Sequence, residues 1–569
     1  MMIREQPKAS ESRSATRKYE LRSTVRDCLF LLLIVLLSVS LYIGRLGFSS
    51  DDWGFLAVFH LSPDPSFMSL VDRANSDYGV FRPVFVVYLV ALYWLFGLQP
   101  LGYHLVNAAV LLSGFLLLYL IVRELTQRRS LALAVALVYA LLPHYSTDRL
   151  WMTAAPITLS MPLYLLSLYA DLKAIQTRPL IRWVWKIVSM ASVVASVLSY
   201  ELFVPLFLLN PLLVAYRKRQ RDRMTDNAIL PTVRWRTLAV LSACSLVALI
   251  YSVGLKLAYT RRDVGHPLGE QLIWFAKLMA KAVFVSFGQY GVGLPGVMSK
   301  LALNHSDWTI VALGIAIGLL VGMYLYRTLT PDTLQRSLLL RLMVAGVVIF
   351  GSGYVIFLSN RNVIITPTGL GNRIAIAATI GVALSLVAGI GWGLTFIRSQ
   401  TWQRRAFCSL VALVCASGFG INATIASFWV DAYQQQQLVI ADIRQQFSTL
   451  PANSTVILDG VCPYKGPGVV FESNWDLAAA LRIQYRDRSI SADVVTPSLT
   501  VEDDGLAIEI YDNVSKYPYS DNLFVYHFGQ GKIHRLTNTQ MAQHYFETVN
   551  PNYDSSCPAG EPGFGSRIF

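Results

Sequence analysis

Charge is what this sequence has least of: 15% of its 569 residues are Asp, Glu, Lys or Arg, against 54% hydrophobic. A chain so poor in charge, with apolar runs of about twenty residues, the length that crosses a bilayer core, is excluded from the soluble globular class. Cysteine is scarce as well, and no cysteine spacing of the metal-binding type occurs. Four of the six cysteines, Cys28, Cys244, Cys408 and Cys415, fall inside apolar runs, where a thiol packs as a small hydrophobe. Cys462 and Cys557 lie in a polar C-terminal region and form a candidate disulfide if that region faces an oxidising compartment. The formal charge of +13 does not point to nucleic acid. Its Lys and Arg residues sit in short segments between apolar runs, where they act as topology signals.

About eleven segments read as transmembrane helices: 28–46, 103–122, 130–142, 154–171, 184–199, 200–216, 237–258, 308–326, 338–358, 371–397 and 404–427. Residues 1–26 form a polar, basic tail. No small-residue cleavage site follows the first apolar core, so an uncleaved anchor is expected. The basic segments 123–129, 173–186, 217–236, 327–341 and 398–405 all fall on one side of the membrane when the N-terminus is cytoplasmic, as the positive-inside rule demands. That parity makes the short run 84–96 a helix that dips into the outer face, since counting it as a crossing would put every basic loop outside. Five parts are then external: 47–102, 143–153, 259–307, 359–370 and 429–569. Within 259–307, residues 268–290 mix Lys277 and Lys281 with Trp274, Phe275 and Phe284, as an amphipathic interfacial helix does.

After Trp429 long apolar runs give way to short alternating elements, which marks a domain boundary. A polar helix at 433–447, strands at 455–458, 492–495 and 507–511, a helix at 475–485 and a hairpin at 523–536 turning on Gly529-Gln530-Gly531 describe a small α/β domain outside the membrane.

The external loops hold the candidate chemistry. Ser49-Ser50-Asp51-Asp52-Trp53 follows the first span. Adjacent carboxylates raise each other's pKa and attract hydroxyl-bearing substrates or cations, so Asp51 and Asp52 are candidates for a general base or for a divalent-cation site holding Mg or Mn. Equally, the serines are candidate helix caps and the aspartates partners of the helix dipole. The loop Pro143-His144-Tyr145-Ser146-Thr147-Asp148-Arg149-Leu150-Trp151 packs an acid, a base, a cation and aromatics into nine residues. His144, Tyr145, Asp148 and Arg149 are its candidates, although Asp148 can also pair with Arg149 alone. Glu201 sits at an outer turn near hydrocarbon, where an unpaired charge costs about 2.5–3.5 kcal/mol, so it needs a partner. Arg82 precedes Pro83 at the start of the dipping helix. Arg373, in Gly371-Asn372-Arg373, opens a span from outside and can fork onto a phosphate or snorkel to headgroups.

Taken in order, Asp51-Asp52, Phe81-Arg82-Pro83, Phe96-Gly97-Leu98-Gln99-Pro100 with Tyr103-His104-Leu105-Val106-Asn107, Pro143-His144 with Asp148, Tyr200-Glu201 and Gly371-Asn372-Arg373 resemble the GT-C superfamily of membrane glycosyltransferases, particularly its protein O-mannosyltransferase-like branch. The resemblance covers the first 220 residues well and the rest thinly. It implies a polytopic helical enzyme of hexosyltransferase type, lying in a bacterial inner membrane. Such an enzyme moves a sugar from a polyprenyl-phosphate donor to a hydroxyl on a glycan, lipid or protein at the outer face. It also implies that Asp51 or Asp52 is the base, Asp148 a second acid and Arg373 a contact to the carrier phosphate. A transporter or flippase of a lipid-linked glycan is the competing class. It calls for repeats and mid-membrane charges, and the sequence reading finds neither.

Overall fold

The computed structural model describes residues 9–78, 81–224, 233–259, 267–296, 307–359, 363–510 and 513–549. Among them nine helices are long and apolar enough to cross a membrane. Two further apolar helices, Pro83–Phe96 and Arg129–Leu141, are too short to span by themselves. Arg129–Leu141 is buried almost end to end, so helical neighbours rather than lipid surround it. The helix Ala9–Val39 carries the first apolar segment. Its stretch beyond Asp27 joins the main hydrophobic cluster through Phe30, Leu31, Ile34 and Val35.

The basic segments meet at one end of the bundle. Arg129 forks onto Asp27 at 2.5 and 2.6 Å, and Tyr119 and Tyr324 donate their hydroxyls to the same carboxylate. Nearby, Glu124 binds Arg217 at 2.7 Å and Lys173 at 3.5 Å. Arg404 donates to the Tyr326 carbonyl, and Arg336 lies over Phe396. The opposite end gathers 47–51, 82, 143–153, 200–201, 256–259, 286–290 and 364–373, as the site geometry below shows. The helices Trp235–Tyr259 and Trp308–Thr328 both have their site-end termini on either side of Leu268–Val283. The chain therefore enters and leaves that segment at the same end, even though Gly269–Gly296 is long and apolar enough to cross. The segment starts as an α-helix and widens into a π-helix over Phe284–Gly293.

Three expectations need correction. The expected span 200–216 is not one helix: it breaks into Glu201–Phe203, Val204–Phe207 and Asn210–Met224, because Pro205 and Pro211 cannot sit in a helix interior without loss of a hydrogen bond. The basic segment 173–186 is not all loop, since Pro179–Ser199 is helical and carries Lys186 two turns inside. There Lys186 is 1% exposed and bonds Asp171 at 2.8 Å, with Ser245 completing the cluster. Charges thus do occur within the spanning region, but as a matched pair. The change of pattern at Trp429 is likewise not a break in the backbone. One helix runs from Gln400 to Gln446, 47 residues without proline, or roughly 70 Å at 1.5 Å per residue. It carries the chain from the basic end past the site into the C-terminal domain.

That domain has the expected α/β elements. Strands β1 Thr455–Asp459, β2 Tyr464–Lys465, β3 Gly468–Val469, β4 Ser491–Val494, β5 Leu499–Val501, β6 Gly505–Ile510, β7 Asn513–Pro518, β8 Leu523–His527 and β9 Lys532–Arg535 form three sheets. The main one has the order β4-β1-β8-β9. β1 pairs in parallel with β4 and β8, and the β8–β9 hairpin turns where Gly529 and Gly531 have positive φ. The helix Asn474–Tyr485 connects β1 to β4 and packs on the external helix Asp51–His60 as well. One hydrophobic cluster runs from Phe48, Trp53 and Phe59 through Ile440 and Ile443 to Leu477 and Tyr526. The domain and the first external loop therefore share a core. Cys462 is disulfide-bonded, and the other four described cysteines are free. Cys557 lies outside the described residues.

Replacing Arg129 by Met leaves the Asp27 carboxylate buried without its ion partner, which costs about 3–5 kcal/mol. Tyr324→Phe removes one hydrogen bond to that charge and costs about 1.5–3 kcal/mol. Thermal unfolding of the detergent-solubilised variants should rank them in that order, and equal midpoints would contradict the clamp.

Candidate functional site

The first external loop is pinned residue by residue. Gly47 lies so close to the long C-terminal helix that a Cβ there would come 2.0 Å from the Tyr433 ring, so no other residue fits without displacing Tyr433. The Gly47 carbonyl meets His104 Nε2 at 3.0 Å, and the Ser49 carbonyl accepts from Trp151 Nε1 at 2.9 Å. Trp53 Nε1 donates to Gln436 Oε1 at 3.2 Å, and Gln436 in turn donates to the carbonyls of Val469 and Val470.

The two adjacent aspartates are divided by this geometry. Asp52 is fully buried, with one oxygen accepting the Ser49 N–H at 2.9 Å and the other the Thr153 N–H at 2.9 Å. It ties the start of its own helix back to Ser49 and the first external loop to the second, while neither Ser49 nor Ser50 caps by its side chain. Burial pushes the Asp52 carboxyl up to about 7 against the pull of those two N–H groups. Asp51, one residue earlier, faces a cavity of about 250 Å³ instead. Burial raises its pKa, and the Arg373 charge pulls the other way.

The cavity wall holds Arg82, Arg373, Trp151, Thr153 and Tyr200 beside apolar Phe55, Phe85, Val86, Pro156 and Ile157. Each guanidinium is stacked on an aromatic face, Arg82 4.2 Å from the Tyr200 ring centre and Arg373 4.7 Å from that of Trp151. Such stacking fixes a planar cation and leaves its edges free for an anion. Arg82 also lies 3.8 Å from Glu201, which is paired with Lys256. The partner that Glu201 required is thus Lys256, more than fifty residues away and legible in the sequence only as a late charge in its apolar run.

Arg373 is aimed by the turn around it. Gly369, at φ 73°, swings the chain into the short helix Leu370–Ala375. Asn372 then donates to the carbonyls of Pro143 and Pro367 and to Tyr290, and it accepts from the Thr147 N–H at 3.1 Å. This knot joins the second and fourth external loops. His144 belongs to it: its ring stacks on Tyr290 at 3.9 Å and Nε2 meets the Ser286 carbonyl at 3.0 Å. Burial lowers its pKa to about 4, so it is a neutral packing residue. Tyr145 donates to the Tyr139 carbonyl at 2.5 Å. Arg149 donates to the Ala140 carbonyl and the Tyr145 hydroxyl. Neither lines the cavity.

Asp148 is fully buried, and its carboxyl oxygens find no hydrogen-bond partner among the described residues. Burial holds its pKa well above the usual carboxylate range, with the charges of Arg373 and Arg149 opposing. It does not hydrogen-bond Arg149. Arg373 therefore sits within electrostatic reach of Asp51 and Asp148 together, while Asp52 is turned into backbone. Of the carboxylates only Asp51 lines the cavity, each Asp52 oxygen accepts a backbone N–H, and two guanidinium groups share the space. No group of three or more His, Cys, Asp or Glu suited to a metal occurs among the described residues.

No family model matches the chain, and no curated protein matches it. Among solved structures it is similar to ArnT from Cupriavidus metallidurans bound to undecaprenyl phosphate, at 15% identity and a TM-score of 0.36 over 81% of this chain and 84% of that one. The apo state of the same protein gives a TM-score of 0.33 at 15% identity with the same coverage. An Archaeoglobus fulgidus oligosaccharyltransferase tethered with an acceptor peptide gives 0.35 at 14% identity, over 81% of this chain and 63% of that one. Likeness this loose leaves the function to be argued from the residues themselves.

Asp52→Ala orphans two buried N–H groups at about 1–3 kcal/mol each, whereas Asp51→Ala orphans none. Unfolding midpoints should fall for the first and stay near wild type for the second. The reverse order would show that the two roles are exchanged.

Proposed function

We propose that this chain is a GT-C-type glycosyltransferase that moves a sugar from a polyprenyl-phosphate donor to a hydroxyl acceptor, with Asp51 as the general base. The observation that carries the reading is the cavity itself, in which one aspartate faces two stacked guanidinium groups beside apolar walls. A lipid-phosphate sugar has matching parts. Its phosphate needs cations, its prenyl chain needs an apolar surface continuous with the membrane, and the acceptor hydroxyl needs a carboxylate.

Asp51 takes the acceptor proton as the acceptor oxygen attacks the anomeric carbon. The bond from that carbon to the phosphate oxygen breaks, and polyprenyl phosphate leaves with its charge held by Arg82 and Arg373. Glu201 and Lys256 keep Arg82 over Tyr200. Asp148 bears on the reaction as the second acid through Arg373, whose charge it shares with Asp51. The basic segments gathered at the far end of the bundle favour a cytoplasmic N-terminus, with the cavity and the α/β domain on the outer face, in a bacterial inner membrane. The acceptor is a glycan, lipid or protein hydroxyl.

The buried Lys186–Asp171 pair is the one observation that favours the flippase reading. The pair is mutually satisfied and adds a bonded serine, so it supports packing at least as well as transport.

Asp51→Asn should lower turnover with a labelled lipid donor by about 10²–10⁴-fold while polyprenyl phosphate still binds. Full turnover in that variant, or donor movement across vesicles without transfer, would reject the reading. The acidic limb of kcat/KM should lie above the ~3.9 of an ordinary aspartate, because burial raises Asp51. Arg373→Gln should move that limb to still higher pH, since the charge that opposes the rise is gone; an unmoved limb would show that another group titrates.

A further inference from the structure

Ser50 has φ 49° and ψ −124°, backbone that side chains other than glycine's rarely adopt and that turns of this shape normally give to glycine. It is the residue immediately before Asp51, so its torsions set the direction in which the Asp51 carboxyl leaves the chain. Something must hold it there. The Ser50 hydroxyl, itself buried, donates to Glu472 Oε1, and Trp475 Nε1 approaches the same hydroxyl at 3.5 Å. Both partners belong to the C-terminal α/β domain.

Glu472 is in turn fixed. Its other carboxyl oxygen accepts from the Tyr464 hydroxyl at 2.6 Å, and its backbone N–H donates to Asp476 Oδ2 at 2.8 Å. Asp476 closes a capping box with Ser473 at the start of the helix Asn474–Tyr485, the helix that packs on Asp51–His60. Two other residues of the loop are tied to the membrane portion, Ser49 through Trp151 and Asp52 through Thr153. Ser50 is hydrogen-bonded from the α/β domain.

We infer that Glu472 is a positioning residue of the site: by gripping the Ser50 hydroxyl it keeps Ser50 in its left-handed backbone state and so aims the Asp51 carboxyl into the cavity. The α/β domain then takes part in catalysis through the backbone of the first external loop. This inference rests on the reading of Asp51 as the base.

The test uses the full chain in lipid nanodiscs with a polyprenyl-phosphate sugar donor. Glu472→Ala and Ser50→Ala each release the grip while keeping a Cβ on residue 50, and each should lower kcat about 10- to 100-fold with little change in donor KM. Ser50→Gly supplies the positive φ without any grip, so it should recover most of the loss, alone and in the Glu472→Ala chain. Glu472→Gln, which keeps an oxygen acceptor for Ser50, should stay well above Glu472→Ala. Rescue by glycine is a readout that lost packing would not give. Wild-type kcat in Ser50→Ala, or a Ser50→Gly variant as impaired as Ser50→Ala, would overturn the inference while Asp51→Asn remained inactive. Full turnover in Asp51→Asn would instead overturn the base assignment beneath it.

Discussion

The site depends on the anchoring of one short loop, residues 47–53, against three distant parts of the chain. A loop buried beneath other elements must find partners for its backbone groups, and this one finds them in His104 and Trp151 of the membrane portion, while its Asp52 side chain takes the Thr153 N–H. Its side chains add Gln436 on the long helix and Glu472 in the α/β domain. The Asp51 carboxyl, by contrast, is left to the cavity. An acid in such a place is pre-aimed, and no part of its orientation has to be recovered when substrate arrives.

The bundle separates its charges into two tasks. At the basic end, cations are matched by Asp27 and Glu124 in compact networks that bind the helices together. At the site end, Arg82 and Arg373 lie on aromatic faces and open into a cavity. The difference is chemical: carboxylates at 2.5–2.8 Å neutralise Arg129 and Arg217 in the first set, while Arg82, 3.8 Å from Glu201, and Arg373 retain edges that can meet a phosphate. The helix Gln400–Gln446 connects both ends to the α/β domain without a break, so the domain is held at a set place over the first external loop.

Much of this was legible in the sequence. Asp51, Arg82 and Arg373 were all singled out, and the three line one cavity. Glu201 was expected to have a partner because hydrocarbon penalises a lone charge, and it has Lys256. Other candidates do not line that cavity. His144, Tyr145 and Arg149 crowd the motif because they knot loops together, and sequence spacing does not separate a knot from a site. The expected helix at 200–216 failed for a local reason, its two prolines. At Trp429 the change in side-chain polarity comes without a change in backbone, because one helix runs from Gln400 to Gln446.

By itself the sequence determined that the chain crosses a membrane repeatedly, which of its loops share a face, and that an α/β unit follows. Those facts rest on run length, on the spacing of Lys and Arg and on alternation, all of which are local. Only the tertiary structure turned Asp52 onto backbone N–H groups and Asp51 toward a cavity, set Arg373 against both Asp51 and Asp148, and brought Glu472 to Ser50. Each of those choices turns on contacts between residues far apart in the chain, and the direction in which a carboxyl points depends on which partners have already taken its neighbours.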